Sequence, residues 1–193
     1  MKNLIILFTF GIYMGITWSQ SLVAYYPFNG NADDISGNNL HLTAFGLPLD
    51  TLDRFGLEDH SFYFNGSTDY FYHINDPLLT PTDALSINVW VKNDSIDGES
   101  DVVVSTLDVP AVGGYQIDIS KRTPTQHVIS WDLYPLSGRK VIFTPYDTLK
   151  GQWIMITGTF DSTGSKLYIN GELKQSLSFT DSLYYLMSNN FRI

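Results

Sequence analysis

Three groups of side chains in this 193-residue chain could do chemistry. The first is the oxygen-rich stretch Asp33-Asp34-Ile35-Ser36-Gly37-Asn38-Asn39. Calcium takes about six to eight oxygens from carboxylates, amides, carbonyls and water. Asp34, Asp33 and Asn39 are the ligands this stretch offers. The spacing is not that of an EF-hand loop, and the competing reading is an Asx-type turn with solvated carboxylates. The second group is aromatic. A pyranose stacks on an exposed Trp or Tyr ring while polar neighbours take its hydroxyls. Trp131, Tyr134 and Tyr115 sit among polar residues and are the candidate platform; Trp90 also has polar neighbours, but it and Trp153 are expected to fill the core. The third group is the acidic run from Asp94 to Asp101, which reads as a solvated loop.

Other chemistries find no footing. There is no cysteine, which excludes disulfides, thiolate metal sites and cysteine catalysis. His41, His60, His73 and His127 follow no ligand spacing. No nucleophile elbow, phosphate loop or zinc helix occurs. The net charge of −9, with scattered Lys and Arg, argues against a nucleic-acid partner.

The elements that must position these residues are strands. Leu85 to Val91 alternates, with Leu85, Ile87, Val89 and Val91 on one face and Ser86, Asn88 and Trp90 on the other. Leu22–Phe28, Leu40–Thr43, Asp101–Leu107, Tyr115–Ser120, His127–Asp132, Lys140–Phe143 and Gln152–Phe160 read as further strands. Asn-Gly pairs at Asn65-Gly66 and Asn170-Gly171 predict two hairpins, Ser61–Ile74 and Lys166–Leu177. At most a helical turn is expected within Ser178–Ser188. Ten or more short strands with turns at this spacing predict a β-sandwich or barrel.

The N-terminus has the layout of a secretory signal peptide: Lys2, an uncharged run from Leu4 to Ile16, and small residues near Ser19. The run is short for a span of about 20 residues. We therefore expect a signal over residues 1–20 and one domain over 21–193. The mature chain would be secreted or displayed at the cell surface, without membrane insertion.

The order of several motifs resembles one family. Leu22 to Asn38 looks like the opening of the laminin G-like, concanavalin A-like jelly rolls of secreted bacterial proteins. Ser61-Phe62-Tyr63-Phe64-Asn65-Gly66-Ser67-Thr68-Asp69-Tyr70, Leu85 to Lys92, Gln152 to Asp161 and Lys166-Leu167-Tyr168-Ile169-Asn170-Gly171 resemble its internal strands and turns. Phe191-Arg192-Ile193 resembles its penultimate strand. The resemblance implies an all-β, two-sheet antiparallel jelly-roll sandwich lacking its last strand, and hence a fragment. It also implies a structural Ca²⁺, often held by an Asp of that last strand.

Catalytic relatives carry an E-x-D-x-x-E strand, with two carboxylates flanking the glycosidic bond. Here Glu99-Ser100-Asp101 matches its first part and Val104 replaces the last Glu. The expectation is a non-catalytic module that binds a glycan or a surface protein. A glycoside hydrolase or lyase of the same fold, or a structural spacer, are the alternatives.

Overall fold

The computed structural model describes residues 22–94, 99–107, 113–186 and 190–193. The expected signal over residues 1–20 and the centre of the acidic run lie outside the described residues. Thirteen strands are described: β1 Thr43–Phe45, β2 Leu49–Thr51, β3 Ser61–Tyr63, β4 Tyr70–His73, β5 Leu85–Val91, β6 Ser100–Ser105, β7 Gly114–Thr123, β8 Gln126–Tyr134, β9 Lys140–Pro145, β10 Ile154–Asp161, β11 Gly164–Ile169, β12 Glu172–Leu177 and β13 Phe191–Arg192. They form a seven-stranded sheet in the order β1-β4-β13-β6-β7-β8-β9, a four-stranded sheet in the order β12-β11-β10-β5, and the small hairpin β2-β3. All pairings are antiparallel. The expected two-sheet sandwich is what the chain builds. Among the described residues no helix is long and apolar enough to cross a membrane.

The core fills the space between the two large sheets because each strand alternates. Tyr115, Ile117 and Ile119 of β7 and Ile129, Trp131 and Leu133 of β8 point inward from one sheet; Ile154, Ile156, Phe160 and Leu167 meet them from the other. Burial of such side chains contributes about 1.5–3 kcal/mol each. A second aromatic cluster extends the core, where Phe71 meets Phe62 at 4.8 Å, Phe64 at 5.6 Å and Phe28 at 5.7 Å.

Several local expectations are corrected. Leu22–Phe28 is not a strand: Phe28 takes φ 56°, a left-handed conformation no strand tolerates. Ser61–Ile74 is not a hairpin. Its two arms join different sheets, β3 pairing with β2 and β4 with β1 and β13. The Asn65 carboxamide instead closes a loop, its oxygen accepting from the N–H groups of Ser67, Thr68 and Asp69. The second Asn-Gly does make a hairpin, with φ 53° at Asn170 and 81° at Gly171, the signs of a type I′ turn. The described part of Ser178–Ser188 holds no helical turn. The short strand β13 lies inside the large sheet, between β4 and β6.

Candidate functional site: the open face of the large sheet

The face of the seven-stranded sheet that looks away from the core carries polar side chains on its central strands β7 and β8, with apolar Val102, Val141 and Phe143 beside them. One row of register partners crosses all seven strands: Thr43, Tyr72, Arg192, Ser105, Gln116, Asp132 and Val141. A second row runs Val102, Asp118, Ser130 and Phe143. A bulge at Val103 separates the two rows on β6 and turns Val104 into the core.

Two carboxylates form the floor. Asp118 and Asp132 are diagonal neighbours on β7 and β8, an arrangement that puts Cβ atoms roughly 7 Å apart in a regular sheet. Asp118 is 6% exposed and accepts from Gln116 Nε2 at 2.9 Å, Ser100 Oγ at 3.1 Å and Ser120 Oγ at 3.4 Å. Asp132 is 1% exposed. Its Oδ2 accepts from an Arg139 terminal nitrogen at 2.6 Å, while its Oδ1 is buried without a partner. Burial is the main cause that pushes the Asp132 carboxyl up to about 6; Arg139 works against it and the Asp118 charge adds to it. Arg139 itself remains about half exposed and passes over the Tyr134 ring at 5.9 Å. Burial first, then the Asp132 charge, raise the Tyr134 hydroxyl.

Of the expected platform, only Tyr134 lies on this face. Trp131 is fully buried, its indole N–H donating to the Thr159 carbonyl at 3.2 Å across the sandwich. Tyr115 is 3% exposed and donates to the Leu79 carbonyl at 3.0 Å. Both rings pack in the core, so their expected role as stacking surfaces is corrected: inward-facing positions of β7 and β8 have no solvent side. The reverse holds for Trp90, which stays 40% exposed beneath the Arg54 guanidinium at 4.6 Å rather than in the core.

The loop with Asp34, Asp33 and Asn39 does not fit the expected cation. Asp34 is 5% exposed, and both its oxygens are taken. Oδ1 accepts from the N–H groups of Tyr25 at 2.9 Å and Ser36 at 2.8 Å; Oδ2 accepts from the Ser36 hydroxyl at 2.8 Å and the Leu40 N–H at 3.0 Å. Burial opposes the charge, but these donors outweigh it and hold the Asp34 carboxyl below its ordinary value. Asp33 is exposed and faces His41 at 3.4 Å; Asn39 is exposed at φ 59°. Among the described residues no three His, Asp or Glu side chains are grouped as metal ligands. In the acidic run, Asp101 accepts from Asn93 Nδ2 at 2.7 Å and Asp94 faces Lys92 at 3.5 Å.

Sequence reasoning passed over Asp118 and Asp132. The signal was the alternation in Gln116-Ile117-Asp118-Ile119-Ser120 and Ser130-Trp131-Asp132-Leu133-Tyr134, which separates Trp131 from Tyr134 and places both carboxylates with the latter.

This two-sheet frame is matched at the sequence level over residues 65–193, from β4 to β13, by the laminin G-like profile of the concanavalin A-like lectin/glucanases superfamily. The chain belongs to that superfamily. No curated protein matches the sequence. Solved structures share the fold over most of the chain. The crystal structure of an HCR/D mutant superposes with a TM-score of 0.60 at 20% identity, over 83% of this chain and 39% of its own length. This chain therefore spans well under half of that protein. Domain 4 of AbnA, a GH43 extracellular arabinanase from Geobacillus stearothermophilus, solved in complex with arabinotriose, superposes with a TM-score of 0.51 at 21% identity, over 90% of this chain and 82% of that domain. At these identities the concanavalin A-like fold is what is shared.

Proposed function

We propose that the chain is a secreted, non-catalytic module that binds a glycan along the open face of its seven-stranded sheet, over Gln116, Asp118, Asp132, Tyr134 and Arg139. The observation that carries this reading is Asp132. A buried oxygen without a partner costs about 1–3 kcal/mol, and a hydroxyl donated by a ligand as Arg139 shifts aside would offset that cost. Around it, the carboxamide of Gln116, the guanidinium of Arg139 and the Tyr134 ring supply the donors, acceptors and apolar surface that sugar recognition uses. The arabinotriose complex of AbnA domain 4 supports a saccharide as the ligand class, and the N-terminal sequence pattern supports secretion.

A glycan array tests the reading. Asp132→Ala and Tyr134→Ala should weaken retention of the bound glycan by about tenfold or more, a loss of roughly 1.4 kcal/mol. Retention unchanged in both variants would remove the open face as the site.

A hydrolase is the second reading, and one observation favours it: two carboxylates share a face, and one has a raised pKa. Against it, Asp132 is sealed beneath Arg139 and its Oδ2 is committed to that guanidinium. Release of reducing ends from laminarin or arabinan, lost in Asp132→Asn, would establish it in place of the binding module.

A further inference from the structure

The chain has four arginines, and three of them, Arg122, Arg139 and Arg192, stand on the open face just described. Each is braced against an aromatic ring of that face: Arg122 over Phe143 at 3.9 Å, Arg139 over Tyr134 at 5.9 Å, and Arg192 over Tyr70 at 5.6 Å. A guanidinium held this way loses less freedom when it meets a ligand, and its planar fork matches an oxyanion. The two carboxylates of the same face lie beneath this layer. Asp118 is closed off by Gln116, Ser100 and Ser120, and Asp132 is paired with Arg139. On this face the Arg122 and Arg139 guanidiniums reach solvent while Asp118 and Asp132 stay in the floor, in a chain whose net charge is −9. The positions are also spread. Arg192 and the Asp132–Arg139 pair are three strands apart along one register row, about 14 Å at the usual inter-strand spacing. That span suits a chain of several sugar units better than a single anion.

We propose that the glycan taken by this face is an acidic oligosaccharide, one whose sugar units carry oxyanions read by Arg122, Arg139 and Arg192. The proposal rests on the open-face reading and adds the charge class of its ligand. Carboxylate and sulfate groups present the same chemistry to a guanidinium fork, and the test separates them.

Calorimetric titration of the full chain uses three probes: an oligogalacturonate, the same oligosaccharide with its carboxyls reduced, and a sulfated dextran oligosaccharide. At least one acidic probe should bind about tenfold or more tightly than the reduced one, and that advantage should shrink as salt is raised. Arg122→Gln should remove most of the advantage while leaving binding of the reduced probe unchanged, and Arg139→Gln should weaken binding of both probes, the acidic one more. Arg122→Gln leaves the buried Asp132 pair intact, so the test stands even if Arg139→Gln fails to fold. Equal or tighter binding of the reduced probe would overturn the acidic-ligand proposal and leave the open-face site standing. Acidic binding that survives Arg122→Gln and folded Arg139→Gln alike would overturn it also. Absence of binding to every probe here and to every glycan of an array would overturn both.

Discussion

The indole of Trp131 in β8 lies flat on the backbone of Gly158 in β10, so close that a Cβ placed on Gly158 would stand 2.7 Å from Trp131 Cδ2 and 2.9 Å from Cε2 and Cε3. This contact joins the two large sheets at the centre of the core, and the indole N–H fastens it to the neighbouring Thr159 carbonyl. Gly158 needs no unusual backbone angle here; it is required because the ring occupies the space a side chain would take.

Gly158→Ala should therefore force the sheets apart or the ring off its rotamer, and cost about 1–3 kcal/mol. Urea denaturation followed by Trp fluorescence would measure this. A variant as stable as the parent would mean that the ring is free to move, contrary to its full burial.

Asp34 should behave as the clasp of the first loop. Asp34→Ala leaves the N–H groups of Tyr25, Ser36 and Leu40 without their acceptor, and should cost at least about 2 kcal/mol. Because its folded pKa is lowered, the stability it contributes is present above the ordinary carboxylate range and is lost as pH falls through the lowered value. Both oxygens being in use, added calcium should leave the melting temperature unchanged. A rise with calcium that disappears in Asp34→Ala would show that the loop reopens for the ion.

Asp132 has the opposite sign. Its folded pKa, about 6, exceeds the ordinary carboxylate value of 3.8, so the folded state holds this proton more tightly than the unfolded chain does. Its contribution is most favourable below the unfolded value and is lost as pH rises through about 6. Asp132→Asn, which imitates the protonated form, should raise the melting temperature at neutral pH. The gain is on the order of 3 kcal/mol at most and should fade as pH drops from about 6 towards 4. A gain that is the same at both ends of that window would contradict the burial argument.

Trp90 and Trp131 should separate cleanly in solution. Trp90 is 40% exposed and Trp131 fully buried, so acrylamide should quench the emission lost in Trp90→Phe and spare most of the emission lost in Trp131→Phe. Trp90→Phe should also cost less than about 1 kcal/mol. Equal quenching of the two rings would place Trp90 in the core, as its aromatic type alone suggests.

Much of the frame was legible in the chain. Leu85–Val91 alternates in the sequence and pairs as β5 over those same residues. Asn170-Gly171 takes the two left-handed angles its residue types favour. Both are local matters of side-chain direction and φ/ψ preference, which neighbours along the chain decide. Asn65-Gly66 has the same residue types and a different outcome. Its flanking aromatic arms are claimed by two sheets, because Phe62 and Phe71 meet edge to face at 4.8 Å while their backbones pair elsewhere. Local propensity permits a hairpin there, and long-range burial overrides it.

By itself, then, the amino-acid sequence determined most of the strands, the Asn170-Gly171 hairpin, the two-sheet class and the superfamily, since these follow from alternation, turn chemistry and motif order. The tertiary structure alone decided which face of each strand meets water. The register between β7 and β8 sends Trp131 and Tyr115 inward, and brings Asp118 and Asp132, 14 positions apart in the chain, under one layer of arginines. That outcome depends on pairing between distant segments, where a one-residue slip would exchange the core face for the open one.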